Sequence, residues 1–145
     1  MPHPDSISTS PPRGHQEDLD PTQCWSLVDG QQVGRVALMV DEAIQVLPVA
    51  FTRLDDDIYF RTSAFGLIAR NAEGQAASFE VDDVHADERS GWSVLLTGTA
   101  RRVTDPELLA RLWTPSPPLP WADGVRNLWI GISVERVSGR SVHQR

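Results

Sequence analysis

A cation and two hydroxyl groups follow one another near the middle of the sequence, at Arg61, Thr62 and Ser63. Arginine offers a planar fork of N–H donors and the hydroxyl groups add neutral donors, so the combination suits a phosphate group. The motif ends a predicted strand, Ile58 to Thr62, and a helix is predicted next, whose free N–H groups would also favour an anion. The alternative is a solvated arginine beside an ordinary Ser or Thr helix cap.

Besides the strand that ends in this motif, the preceding strand and the following helix must hold these residues in place. The strand, Ile44 to Phe51, is apolar on both faces, as in a barrel wall that is covered on two sides. Pro48 interrupts it, and because proline has no N–H to donate we expect a strand edge or a bulge there. The helix should bury a single apolar stripe formed by Phe65, Ile68, Ala69 and Ala72.

The composition limits the classes of function. The length of 145 residues suggests a single domain, and 13 basic against 20 acidic residues give a formal net charge of −7. This balance argues against a non-specific nucleic-acid binder and against binding to an anionic membrane surface. Every basic residue is arginine, which excludes a lysine Schiff base and a lysine phosphate clamp.

The single cysteine, Cys24, cannot form an internal disulfide, so we expect a cytoplasmic, reducing location. No apolar run approaches the length of a membrane span, and the first residues lack the basic start and apolar core of a signal peptide. Cys24 lies on the apolar face of a predicted helix, Pro21 to Val28, which Asp20 should cap. We therefore expect its thiol to pack in the core.

The chain is predicted to have one folded domain between two tails. Residues 1–18 are rich in proline, serine and polar groups, and we expect a disordered N-terminal tail. The folded domain should span residues 19–140, and residues 141–145 should form a C-terminal tail. Two histidines, His3 and His15, fall in the first tail, and we expect neither to bind a metal.

The remaining elements complete a mostly β chain. Alternating apolar and polar residues predict further strands over 33–40, 75–81, 92–103 and 127–137. In the third of these, Gly98 should mark a bend of the kind that small barrels need. A helix is predicted to start at a capping box from Thr104 to Glu107, and a stiff connector should follow over 114–120. Six strands and three short helices predict an antiparallel barrel with the helices outside.

Other sequence motifs give little support for a different chemistry. An acidic stretch, residues 82–88, contains His85, but its spacing fits no known metal cage, and we expect a solvated loop. The sequence has no GxGxxG, P-loop, CxxC, HExxH or GxSxG motif. Strand–helix–strand alternation is also absent, which excludes a Rossmann domain.

The order of these parts resembles a known family, the pyridoxamine 5′-phosphate oxidase-like, FMN-binding split barrels, and in particular its short bacterial members. The resemblance covers about Leu19 to Arg140 and rests on the order and spacing of several pieces. These pieces are Val33-Gly34-Arg35-Val36, Pro48-Val49-Ala50-Phe51, Ile58-Tyr59-Phe60-Arg61-Thr62-Ser63, Phe79-Glu80-Val81-Asp82-Asp83, the segment 91–98 and the segment 132–140.

The resemblance implies a homodimer of six-stranded antiparallel split β-barrels with short flanking helices and two FMN molecules at the dimer interface. In such proteins the strand that corresponds to Pro48, Val49, Ala50 and Phe51 lies along the isoalloxazine ring. The residues that correspond to Arg61, Thr62 and Ser63 hold the phosphate. An aromatic side chain near the interface, here Trp92 or Trp129, helps to wall the ring.

The sequence departs from this family at two positions. Many relatives carry a lysine where this chain has Leu67 or Ile68, and a polar residue where it has Ala50. Loss of one charge-assisted phosphate contact costs roughly 1.5–3 kcal/mol, although Arg70 could compensate one turn further on.

Three hypotheses about function follow. The first is an FMN-dependent oxidoreductase or flavin carrier acting on a small-molecule redox substrate. The second is a flavin-free dimeric binding protein on the same scaffold, and the third is use of a deazaflavin in place of FMN. No acid–base pair is evident in the sequence, so no catalytic residue is named.

Overall fold

Seven strands and three short helices make up the part of the chain that the computed structural model describes, residues 14–63, 66–114 and 127–144. The strands are β1 (His15–Leu19), β2 (Val33–Val40), β3 (Ala43–Leu54), β4 (Asp57–Thr62), β5 (Ala76–His85), β6 (Ser90–Arg102) and β7 (Leu128–His143). The helices are α1 (Pro21–Asp29), α2 (Leu67–Asn71) and α3 (Pro106–Leu112). Among the described residues, no helix has the length and apolar composition needed to span a membrane.

The strands form one antiparallel sheet that closes on itself. Its order is β1-β7-β4-β3-β2-β5-β6, and β6 also pairs with β7, so the six strands β2 to β7 make a ring. One edge of β7 pairs with β6, while the other edge pairs with β4 over 128–133 and with β1 over 139–143. The predicted antiparallel barrel with outer helices is confirmed, with seven strands instead of six because β1 joins the outside of the ring.

The main core fills the inside of this ring. Alternate residues of each strand point inward, and the largest fully buried side chains there belong to Ile58, Phe60, Phe79, Leu96, Ile130 and Ile132. Removing such apolar surface from water is the main source of stability.

Helix α1 packs its apolar face onto the core. As predicted, Asp20 caps the helix: its Oδ1 accepts from the Gln23 N–H at 2.8 Å, and Gln23 Oε1 accepts from the Asp20 N–H at 2.9 Å. Cys24 and Val28 are fully buried. Burial, together with the nearby charge of Asp20, raises the pKa of the Cys24 thiol, so this cysteine packs in the core as a neutral group, as expected.

A smaller apolar cluster lies between the outer face of β4 and β7 and helix α3. Its buried members are Tyr59, Val103, Leu112 and Trp129. The N-cap of α3 is Asp105, which accepts from the Glu107 N–H at 3.2 Å. The predicted capping box that begins at Thr104 is therefore wrong by one residue, because Pro106 fixes the first helical position.

The predicted tail boundaries are wrong at both ends. Strand β1 occupies 15–19 and pairs residue by residue with 139–143 of β7, so residues 15–18 and 141–143 belong to the sheet. The edge of β7 beyond β4 would otherwise be unpaired, and it supplies the hydrogen-bonding partners of β1. The polar sequence of β1 does not by itself indicate a strand. The rest of the predicted N-terminal tail lies outside the described residues.

The acidic stretch 82–88 was predicted to be a loop, but it is not a loop throughout, since β5 runs to His85 and only 86–89 form the turn.

The helix after the Arg61 motif has its predicted apolar face. In α2, Ile68, Ala69 and Ala72 form the buried stripe, as predicted. Phe65 of that stripe, and the connector from residue 115 onward, lie outside the described residues.

Candidate functional site

The barrel is split between β3 and β4. These strands pair only from Leu54↔Asp57 to Phe51↔Phe60. From Ala50 back to its first residue, β3 pairs with β2 and with no other described strand. On the other side of the split, β4 continues to pair with β7, for example at Arg61↔Trp129. No strand among the described residues covers the other edge of β3 between Ala43 and Ala50, so its backbone donors and acceptors are available to a flat polar ligand.

The four residues that the family resemblance assigns to the ring-binding strand lie at this split. Pro48 is exposed and lies in the half of β3 that pairs only with β2. The predicted strand edge at this proline is therefore confirmed. Phe51 is buried and packs edge-to-face on Phe79 at 5.1 Å between ring centroids, and Val49 also packs on the core. Ala50 is half-buried beside them.

Arg61 lies where β4 leaves β3, directly opposite Trp129 on β7. Its Cζ is 4.9 Å from the ring centroid of Trp113 and 5.9 Å from that of Trp129. The two indole rings meet edge-to-face at 5.4 Å. Such contacts between a guanidinium and aromatic rings are worth about 0.5–2 kcal/mol and hold the guanidinium against the two rings.

Two N–H donors in this group lack an acceptor within the part of the chain that the structure describes. Arg61 Nε and Trp129 Nε1 are buried, and neither has a hydrogen-bond partner among the described residues. A buried donor without an acceptor costs about 1–3 kcal/mol, so two such donors on directly opposed residues call for an explanation. An anionic oxygen, such as that of a phosphate group, is the kind of acceptor that such donors require.

Thr62 and Ser63 are placed differently from Arg61. Successive side chains of a strand point to opposite faces, so Thr62, which is buried, faces away from Arg61. Ser63 follows the end of β4, and its carbonyl accepts from the Gly66 N–H at 3.1 Å. The predicted phosphate residues are neighbours in sequence, but the structure does not bring all three onto one face.

Helix α2 begins just beyond this group. Its N-cap is Gly66, which makes no side-chain cap hydrogen bond, so the alternative that Ser63 is an ordinary helix cap is wrong. Of the two apolar positions that replace the usual lysine, Ile68 is buried and Leu67 is half exposed. Arg70 is exposed in the last turn.

The two candidate ring-walling tryptophans lie far apart. Trp129 is buried beneath α3. Trp92 is opposite Ser141 near the other end of β7, and the ten residues between Trp92 and Arg102 on β6 span about 33 Å. Trp92 instead lines a groove of about 260 Å³ with Arg89 and Arg140. Within one chain, Trp92 and Arg61 therefore do not form one site.

A row of charged residues, which the sequence analysis missed, lies beside Pro48 on the outer face of the sheet. Pro48, Arg35 and Glu80 are Cα partners across β3, β2 and β5. Arg35 Nη1 lies 3.4 Å from Glu80 Oε1 and 3.1 Å from Asp82 Oδ2. Burial and the adjacent Asp82 raise the pKa of Glu80 to about 7, against the opposing effect of Arg35. The sequence did contain a signal for this row, because Glu80 and Asp82 are two residues apart on β5 and therefore share a face.

The raised pKa of Glu80 predicts a dependence of stability on pH. Because the unfolded side chain titrates near pH 4.3 and the folded one near 7, the folded state holds the extra proton between these values. The contribution of Glu80 to the free energy of unfolding is therefore present below the unfolded pKa and falls as the pH rises towards 7. Replacement Glu80→Gln should remove this fall in urea unfolding measured from pH 4.5 to 8.

The control for this prediction is Glu42→Gln in the exposed turn between β2 and β3, which should leave the wild-type pH profile unchanged. A Glu80 carboxyl that titrates near 4.5 by NMR would contradict the prediction.

A second polar network next to the tryptophans is held by hydrogen bonds within the chain. Arg101 donates from Nε to Ser133 Oγ at 2.9 Å and from Nη2 to the Tyr59 hydroxyl at 3.1 Å. Asp57 accepts from Arg101 at 3.4 Å and from the Val134 N–H at 3.1 Å. Because these groups have partners within the chain, the network is structural. It differs in this from Arg61 Nε and Trp129 Nε1, for which the described segments offer no acceptor.

The sequence matches the pyridoxamine 5′-phosphate oxidase family over residues 20–141. It is 28% identical over 127 residues to an uncharacterized protein of Mycobacterium tuberculosis, covering 84% of this chain and 82% of the relative.

Solved structures share the fold. A conserved protein of unknown function from Corynebacterium diphtheriae is 32% identical, with a TM-score of 0.70 over 87% of this chain and 97% of that one. The FAD binding protein from Mycobacterium smegmatis is 24% identical, with a TM-score of 0.68 over 88% of this chain and 98% of that one. At 24% identity, the similarity to the Mycobacterium smegmatis protein shows a shared fold only.

Proposed function

Because this chain belongs to the pyridoxamine 5′-phosphate oxidase family, we propose that it binds a flavin nucleotide, FMN, at the split between β3 and β4. The observation that carries the proposal is a pair of buried donors beside that split, Arg61 Nε and Trp129 Nε1, which have no hydrogen-bond partner among residues 14–63, 66–114 and 127–144. The flavin, when bound, supplies redox chemistry for a small-molecule substrate. The protein's own contribution is to bind, orient and shield it.

Each part of the split has a separate task in this proposal. Arg61 binds the phosphate through its guanidinium group, whose Nε has no partner among the described residues. Ser63 and Arg70 follow closely in sequence and assist in this proposal, whereas the buried side chain of Thr62 faces away from Arg61. The open edge of β3 from Pro48 to Phe51 offers backbone donors and acceptors to the polar edge of the ring.

A flavin-free role is the second candidate, and two observations favour it. Leu67, at a position where many relatives carry lysine, is half exposed and apolar. The guanidinium of Arg61 is already in contact with two aromatic rings. Both features weaken the attraction of the site for a phosphate. If FMN does not bind in a titration, a deazaflavin or a different ligand is the second candidate.

The absorption spectrum of the purified protein and titration with FMN test the proposal. We expect the protein to quench the fluorescence of FMN, with a quenching that saturates as the FMN becomes fully bound. FAD is included because two structures with the same fold are of FAD-binding proteins, from Mycobacterium smegmatis and Mesorhizobium loti. A colourless protein that leaves the fluorescence of both nucleotides unchanged would contradict flavin binding and favour the second candidate.

We also propose a homodimer that covers the outer face of β2 and β3. Met39 and Ile44 are Cα partners there, and Ile44 and Val46 are 69% and 58% exposed. The same face carries a groove of about 500 Å³ beside Met39 and Ile44. Apolar residues that remain so exposed on adjacent strands are typical of a surface that another protein covers.

This proposal predicts a dimer at micromolar concentration by light scattering, and a monomer after the double change Ile44→Asp and Val46→Asp. A two-fold interface contains each change twice, and four buried carboxylates should weaken association by at least about 100-fold. Ala110→Asp on the exposed side of α3 is the control and should stay dimeric. A monomeric wild type would contradict the proposal.

A further inference from the structure

Two histidines and a glutamate meet where the first strand of the sheet joins the last. His15 on β1 is the Cα partner of His143 on β7, and Glu17 lies two residues along β1 from His15. Because side chains alternate along a strand, His15 and Glu17 point to one face of the sheet. His143, directly opposite His15, points to that face too. The pairing of β1 therefore brings together residues from the two ends of the sequence.

The distances among these side chains are close to those of a metal site. His15 Nε2 lies 2.9 Å from Glu17 Oε1, and the two imidazole rings are 5.0 Å apart at an angle of 60°. One ligand atom from each of the three residues lies within 4.8 Å of the other two. Zinc bonds of about 2.0–2.1 Å at the tetrahedral angle put ligand atoms roughly 3.3–3.4 Å apart, so side-chain rotations alone can close the site.

We propose that His15, Glu17 and His143 bind a divalent transition-metal ion, with Zn²⁺ as the best match. Imidazole nitrogen and carboxylate oxygen suit Zn²⁺, whereas Mg²⁺ and Ca²⁺ require mostly oxygen ligands. Three protein ligands leave one tetrahedral position to a water molecule. The ion cross-links β1 and β7, the first and last strands of the sheet.

This site is separate from the flavin site. On β7, His143 and Trp129 lie at opposite ends of the strand, and fourteen residues of strand span about 46 Å. From the sequence, His15 was predicted to lie in a tail and to bind no metal. Only the register of β1 against β7 shows that His15 has a second histidine opposite it.

Calorimetric titration of the full chain with ZnCl₂, after treatment with EDTA, tests the site. We expect one Zn²⁺ ion per chain and an increase in the thermal unfolding temperature when Zn²⁺ is present. Loss of groups that merely orient metal ligands costs about 10–100-fold in affinity, so His15→Ala, Glu17→Gln and His143→Ala should each weaken Zn²⁺ binding by at least tenfold.

His85→Ala is the matched control, because His85 also lies beside a carboxylate, with its Nε2 3.3 Å from Asp83 Oδ1. It should bind Zn²⁺ as the wild type does. In NMR spectra, Zn²⁺ should shift the ring signals of His15 and His143 and leave those of His85 in place. No binding by the wild type, or equal binding by all four variants, would overturn the proposal, as would shifts at His85 alone.

Discussion

Replacement of Gly98 by alanine is expected to lower the free energy of unfolding by about 3 kcal/mol. A Cβ atom at Gly98 would lie 1.8 Å from the Ser133 carbonyl oxygen and 3.1 Å from Val134 Cα. Both are backbone atoms of β7, so no side-chain rotation can relieve the overlap. The register between β6 and β7 shifts between Thr97 and Gly98, and the added methyl group must displace the paired backbone at that bulge.

Urea unfolding of the wild type and Gly98→Ala measures this effect. Gly30→Ala is the matched control, because its Cβ would be 3.5 Å from the Leu27 carbonyl oxygen, an ordinary contact, at a φ of −82°. That replacement should change the stability by no more than about 1 kcal/mol, in the stabilising direction. A Gly98→Ala protein within about 0.5 kcal/mol of the wild type would show that the bulge can move at little cost.

Gly98 also illustrates what the sequence can predict. Three residues act through local chemistry: a glycine inside an alternating strand permits a bulge, the proline at position 48 removes an N–H donor, and the aspartate before Pro21 accepts a helix-capping hydrogen bond. The structure has a bulge, a strand edge and a helix cap at these places. The closed antiparallel ring follows from the order of such local elements.

Strand β1 could not be predicted in this way. Its sequence is polar, with only Leu19 to pack on the core, and it lacks the alternation that indicates a strand. What makes it a strand is the free edge of β7, more than a hundred residues away along the chain. The His15, Glu17 and His143 cluster depends on the same pairing, so the sequence alone could not reveal it.

The residues of the candidate flavin site were proposed from the sequence, whereas their geometry could not be. Local chemistry identified Arg61. It could not show that Trp129 lies directly opposite or that Trp113 comes to lie against the guanidinium. Nor could it separate Trp92 from Trp129, because the distance between them depends on the register of β6 and β7. Such facts come from pairings between distant segments.

Replacement of Arg61 by alanine is expected to lower the affinity for FMN by about 2–3 kcal/mol, which is about 30–150-fold. The reason is that the phosphate loses a charged partner whose Nε has no other acceptor among the described residues. Riboflavin lacks the phosphate and should bind the wild type and Arg61→Ala equally. The ratio of the two affinities is thus insensitive to a general weakening of the fold, which matters because Arg61 also contacts Trp113 and Trp129.

Arg53→Ala is the control for this ratio. Arg53 also lies over a tryptophan, 4.2 Å from the centroid of the Trp25 ring, but its guanidinium bonds to Asp29 and Asp56. Loss of Arg53 should affect stability and leave the ratio of FMN to riboflavin affinity unchanged. Leu67→Lys, at a half-exposed position in the first turn of α2, should strengthen FMN binding and leave riboflavin binding as it is.

Fluorescence quenching with both ligands separates the two interpretations of Arg61. If the phosphate lies against this arginine, the ratio of FMN to riboflavin affinity falls in Arg61→Ala, rises in Leu67→Lys and stays constant in Arg53→Ala. If Arg61 only packs on Trp113 and Trp129, all proteins show the same ratio, and the change Arg61→Ala is visible only as a loss of about 0.5–2 kcal/mol in stability. Equal ratios would therefore remove Arg61 from the flavin site while leaving the barrel and its split intact.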